Sequence, residues 1–209
     1  MNSCECLGLI GESGSGKSTV ANLAAGLRKP TSGQISFYGE HMQMVFQNPL
    51  TSFSPKMKIL DSLCEGLRYR TTMTRKEQEA RAYEVLEMVG LKQEYAQKYS
   101  HELSGGECQR AAIGRAIMIK PQLLICDEVT SALDVSVQAQ IIRLLHNLKR
   151  EMKMSYLFIS HDLALVSSIC DRIAVMYEGG IVESGSVREV LDNPREDYTK
   201  KLLDAVLKI

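Results

Sequence analysis

The stretch Gly11-Glu-Ser-Gly-Ser-Gly-Lys-Ser18 has the residue types and spacing of a loop built to hold phosphate. Its glycines let backbone N–H groups converge on phosphate oxygens, and a helix starting there adds the positive end of its dipole. Lys17 has the reach to meet β- and γ-phosphates, and Ser18 offers a hydroxyl to Mg²⁺. Gly11, Glu12, Ser13, Gly14, Ser15, Gly16 and Thr19 complete the candidate cradle. A second group suits the other half of the chemistry. The apolar run Leu123-Leu-Ile-Cys126 ends in Asp127-Glu128, which puts carboxylates at the carboxyl end of a strand, where open α/β sheets bind ligands. Asp127 would hold Mg²⁺ directly or through water, and Glu128 would take the proton from an attacking water.

These residues need a scaffold. The apolar run Cys6–Ile10 reads as a buried strand before the loop, and Lys17–Arg28 as a helix after it, ended by Pro30. Gly33–Gly39 and Met42–Gln47 read as strands. From Asn48 to Lys120 the pattern is helical: Lys58–Arg68, then Thr74–Val89 opening on the capping box Thr74-x-x-Glu77, then Gly105–Ile119 closed by Pro121. Strand and helix alternate again afterwards: Leu123–Asp127, helix Asp134–Met152, strand Ser155–Ser160, helix Asp162–Cys170. A hairpin over 172–185 turns at Gly179-Gly180, and two short helices flank Asn193-Pro194. The alternation predicts an α/β fold with a mostly parallel sheet and a helical insert.

Composition narrows the function classes. Lys+Arg and Asp+Glu are both 25, so no global charge favours nucleic acid or anionic lipid. No apolar run approaches the roughly 18 residues of a membrane span. The N-terminus lacks the charged-then-apolar order of a signal peptide. The six cysteines form no CxxC pair, which points to free thiols rather than zinc or a redox motif.

Leu103-Ser-Gly-Gly-Glu-Cys-Gln-Arg110 lies at a predicted helix start with Ser104 as N-cap, and it resembles the signature sequence of ATP-binding-cassette (ABC) ATPases. Gln47 for the Q-loop, Ser131-Ala-Leu-Asp134 for the D-loop and His161 for the switch histidine follow in that family's order. The resemblance implies a P-loop NTPase core, a helical insert and a reduced antiparallel β subdomain. It implies one domain over 1–209, with 1–47 and 121–209 as core and 48–120 as the helical subdomain. Glu128, His161 and Gln47 would be catalytic, with Ser18, Gln47 and Asp127 around Mg²⁺. Ser104, Gly105, Gly106 and Asp134 would meet ATP held by a second ATPase subunit, in a head-to-tail homo- or heterodimer. The family usually carries Gln where this chain has Glu107; a carboxylate there costs anion affinity unless it points away.

The stretches "MVFQNPLTSFSPKM", "EVTSALDVSVQAQI" and "DYTKKLL" resemble ATPase subunits of dipeptide, oligopeptide and nickel-chelate importers. That implies transmembrane permease subunits as partners, a solute-binding protein beyond them, and a peripheral place on the cytoplasmic face of the membrane. Met44, Phe46, Leu50, Phe53 and Met57 would either meet coupling helices of the permease or pack the insert. The family also has strands before the phosphate loop, one with an aromatic residue on adenine, and a longer connection than 33–47. Without that platform, nucleotide binding is expected to weaken by about 1–3 kcal/mol. The competing expectation is therefore a truncated or regulatory ATP-binding module with weak or no hydrolysis. A soluble ABC protein working on DNA or ribosomes would call for a second cassette or a coiled-coil insert, and an iron–sulfur site is not expected.

Overall fold

Parallel strands need cover on both faces and long crossovers between them, and the apolar runs of this chain are spaced accordingly. The computed structural model describes residues 1–206. Its six-stranded sheet contains β1 (Cys6–Ile10), β2 (Met42–Val45), β3 (Leu123–Asp127), β4 (Ser155–Ile159), β5 (Arg172–Tyr177) and β6 (Gly180–Ser186). The order is β2-β3-β4-β1-β5-β6, with every pairing parallel except β5 with β6.

Strand alternation divides the apolar residues between two cores. Cys6, Ile10, Leu124, Cys126, Tyr156, Phe158, Ile173 and Val175 enter the larger one. There they share cover with Ile141, Leu145 and Leu148 of α5 (Val135–Met152) and Val166 of α6 (Leu163–Ile169). Leu9, Ile125, Leu157, Ile159, Ala174 and Met176 face the other way, toward Ala21 of α1 (Lys17–Ala24). Between β2 and β3 lie α2 (Ile59–Arg70), α3 (Arg75–Met88) and α4 (Gly105–Ile117). Leu63, Leu67, Val85, Leu86 and Ile113 are buried among them. Thr74 caps α3 with the reciprocal Glu77 bonds that the sequence predicts. The chain closes with α7 (Val187–Asp192) and α8 (Asp197–Val206); residues 207–209, the end of the expected domain, lie outside the described residues.

Three expectations change, and one open alternative closes. α1 stops at Ala24 because Gly26 takes a left-handed φ of 71°, letting Gly26 N–H reach Leu23 O (3.1 Å) and Leu27 N–H reach Asn22 O (2.9 Å). This is a glycine C-cap, and Pro30 plays no part in the stop. Gly33–Gly39 forms no strand: its residues alternate correctly, but no neighbouring strand pairs with them, and Ile35, Phe37 and Tyr38 stay exposed. The expected antiparallel β subdomain is thus represented, among the described residues, by the β5–β6 hairpin alone. That hairpin turns at Glu178-Gly179, both at positive φ as a two-residue turn of this hand requires, one position before the expected one. Phe53 is buried under the Arg115 guanidinium, 4.4 Å from its ring centroid, so it packs the insert and is not free to meet a partner.

At Gly8 on β1 a methyl group would stand 2.7 Å from Val166 Cγ1 and 3.0 Å from Cys170 Sγ. Gly8→Ala is expected to lower stability by about 1–3 kcal/mol through overpacking. Urea unfolding measures it, and an unchanged midpoint would mean that α6 yields freely.

Candidate functional site

The phosphate loop is shaped by what leaves no room around it. At Gly11 φ is 151° and a Cβ would lie 2.2 Å from the carbonyl oxygen of Met176 on β5, so only glycine fits. Gly16 caps α1 at φ 105°. Lys17 is buried, with Nζ donating to Gly11 O (2.8 Å), Glu12 O (2.7 Å) and Ser15 Oγ (3.5 Å), one acceptor for each proton. Burial pushes its ammonium below the usual lysine range, while Glu128 and Asp127 pull it back up. Ser15 is buried and its carbonyl accepts Gly179 N–H at 3.1 Å, which ties the loop to the hairpin turn. Glu12, Ser13, Gly14, Ser18 and Thr19 face solvent, and Gly14 has open space on its Cβ side.

The acidic pair stands alongside. Asp127 ends β3 and is buried; Ser18 Oγ donates to its Oδ1 at 3.4 Å. Burial pushes its carboxyl up, Ser18 pulls it down, Glu128 raises it and Lys17 lowers it, leaving it above the usual range. Glu128 sits in the left-handed region at φ 49°, held by its N–H on Ile159 O (3.0 Å) and by Ser131 N–H and Oγ–H on its carbonyl. Its side chain draws together residues distant in sequence. Oε2 accepts from Gln47 Nε2 at 2.8 Å, and Oε1 lies 3.6 Å from His161 Nδ1. Gln47 Nε2 also donates to Ser131 Oγ (3.2 Å), and among the described residues its amide oxygen takes no hydrogen bond. Ser131 joins this group, although nothing in the D-loop stretch that it opens singles it out.

The signature residues form a separate group. Ser104 caps α4 and Glu107 returns the capping box, its Oε2 accepting both Ser104 N–H and Oγ–H at 2.8 Å. Its other oxygen accepts the Tyr95 hydroxyl. Tyr95 first, then the Ser104 N–H and hydroxyl, hold the Glu107 carboxyl down at about 2. The carboxylate therefore points back into the helix entry, which answers the concern raised by its place in the signature. Gly105 and Gly106 begin the helix beside it. Asp134 caps α5, accepting Val137 N–H at 3.0 Å, and a Cβ on Gly106 would stand only 2.6 Å from Val137 Cγ1. The two capped helix starts thus pack against each other.

The donor set around Asp127 fits Mg²⁺. A hydroxyl and a carboxylate oxygen face each other, hard ligands of the kind that cation takes beside phosphate oxygens and waters. Among the described residues, no group of three or more His, Cys, Asp or Glu side chains forms a cage of its own.

Comparison with known proteins gives this geometry its setting. The family model described as ABC transporter matches residues 1–131. This chain belongs to the ABC transporter family. The ABC chain is 44% identical over 219 aligned residues to the oligopeptide transport ATP-binding protein OppF of Bacillus subtilis, covering 97% of itself and 72% of that protein. It is 45% identical to the Escherichia coli OppF, covering 65% of it, and so spans about two thirds of such relatives. With the glutathione import ATP-binding protein GsiA of E. coli it shares 46% identity over 35% of that protein. Among solved structures, cbiO1 of Clostridium perfringens, part of the ABC transporter complex cbiONQ, superposes with a TM-score of 0.82 at 26% identity, covering 92% of this chain and 81% of that one. An inward-facing ABC transporter of metal-chelate type gives 0.84 at 27% identity, covering 98% and 80%.

Gly106→Ala is expected to destabilise this ABC chain by about 1–3 kcal/mol. Val137→Ala in the same chain should recover most of that loss. A double-mutant cycle by thermal unfolding measures the recovery, and additive effects would mean the two helix starts do not press on each other.

Proposed function

We propose that this chain is an ATP-binding, ATP-hydrolysing subunit of an ABC importer. The observation that carries the reading is the Glu128 carboxylate, held by Gln47 and facing His161 beside the Ser18–Asp127 pair. In this reading Lys17 and the loop N–H groups from Gly11 to Thr19 hold the β- and γ-phosphates of ATP. Ser18, Asp127 and the amide oxygen of Gln47 would hold Mg²⁺, which supplies positive charge to the β- and γ-oxygens. Glu128 takes a proton from water as the water oxygen bonds to the γ-phosphorus and the bond to the bridging oxygen breaks, releasing ADP and phosphate. Gln47 and His161 orient that water and the γ-phosphate.

Ser104, Gly105, Gly106 and Asp134 would complete the site of a second subunit, with residues 48–120 acting as a helical subdomain that carries them. Membrane attachment would come through permease subunits, since no helix among the described residues is long and apolar enough to cross a bilayer. Phe46 and Leu50 are exposed and remain available for that contact, beside a groove of about 220 Å³ that Phe46 lines with Ser52, Ala112 and Arg115. The oligopeptide transport role printed for the OppF relatives favours peptides as cargo. A metal-chelate cargo is the second reading, and it rests on the metal-chelate transporter of similar fold.

In the assembled complex, Glu128→Gln is expected to lower kcat for ATP hydrolysis roughly 10²- to 10⁴-fold while ATP binding persists. Lys17→Ala is expected to lose ATP binding itself. Phosphate release and nucleotide titration check both, and hydrolysis undiminished in Glu128→Gln would overturn the assignment of the base.

A further inference from the structure

The stretch Asp197-Tyr-Thr-Lys-Lys-Leu-Leu203 has no part in the chemistry above, yet it reaches the phosphate loop. Tyr198, on the first turn of α8, accepts Glu12 N–H on its hydroxyl at 3.1 Å. That N–H belongs to the Gly11–Glu12 peptide group, whose carbonyl accepts Lys17 Nζ at 2.8 Å. The two contacts hold one peptide plane at both poles. A flip of that plane would turn the Gly11 carbonyl away from Lys17 and leave a buried ammonium short of an acceptor.

Tyr198 is itself braced. Its ring lies against Tyr177 of β5, with centroids 4.2 Å apart and planes tilted by 35°. The start of α8 is fixed by Glu183 of β6, whose two carboxylate oxygens accept Arg195 N–H (2.9 Å) and Glu196 N–H (3.2 Å). Thr199, the next residue, is fully buried. A strut therefore runs from β6 through the α8 N-terminus to the loop, across 186 residues of sequence.

We infer that Tyr198 is a positioning residue for nucleotide binding, its hydroxyl fixing the Gly11–Glu12 peptide and through it the place of Lys17. Its contact with the loop is the bond from Glu12 N–H. The inference rests on the loop being the ATP site, as proposed above.

Two measurements on the full chain test it. Amide hydrogen exchange at Glu12 requires no nucleotide; Tyr198→Phe, which keeps the ring against Tyr177, should speed it at least about tenfold. The Kd for Mg-ATP should then rise about three- to tenfold with the thermal midpoint little changed. Glu183→Ala should raise the same Kd, but add little in a chain already carrying Tyr198→Phe, because both act through one strut. Unchanged Glu12 exchange, an unchanged Kd, or additive effects of the two substitutions would each overturn the inference. Failure of the unsubstituted chain to bind ATP would overturn the proposed function, and this inference with it.

Discussion

Ile159 is the residue at which two parallel ladders meet. It stands opposite Leu9 of β1 and opposite Asp127 of β3, and its carbonyl receives the N–H of Glu128. The end of the strand before the phosphate loop and the end of the strand before the acidic pair are thereby set level with each other. Side chains alternate along a strand, so a slip of one residue of β3 against β4 would turn Asp127 to the opposite face and bury its carboxylate in the larger core. The apolar division between Cys126, Phe158 and Ile10 on one side and Ile125, Ile159 and Leu9 on the other forbids that slip. Packing energy spread over two cores fixes the placement of a few polar atoms.

Those polar atoms depend on one another. Burial disfavours charge on Lys17 and on Asp127, and each offsets part of that cost in the other. Removing either partner leaves the other with an uncompensated charge in a confined place, a change that is costly even where the intact pair adds little net stability. Neighbouring groups supply the rest: two backbone carbonyls for the lysine, a serine side-chain hydroxyl for the aspartate. The loop and the acidic pair thus form one electrostatic unit.

Much of this was legible in the residues. Cys6–Ile10, Leu123–Asp127 and the strand beginning at Ser155 announce themselves as short apolar runs, and Thr74 and Ser104 announce their helices by capping boxes. The end of α1 was also written in the chain, at Gly26, but the more conspicuous Pro30 drew the boundary past it. Gly33–Gly39 was misleading for a different reason. Alternation shows that a segment is able to be a strand, whereas becoming one requires an edge to pair with. Phe53 lay in a loop-like stretch, where apolar character alone does not tell burial from exposure. The bonds from Tyr198 to Glu12 and from Gln47 to Glu128 join residues far apart in sequence, and no local pattern encodes them.

Glu128 stands in a backbone region that favours glycine, and its surroundings keep it there. Glycine would relax that position, and so would asparagine to a lesser degree. The conformation that aims the carboxylate between Gln47 and His161 is thus one the fold would shed if stability were the only criterion. Random drift filtered for thermal robustness alone would erode this residue early and leave a sturdier protein without its proposed base. The presence of glutamate at such a place records a demand other than folding.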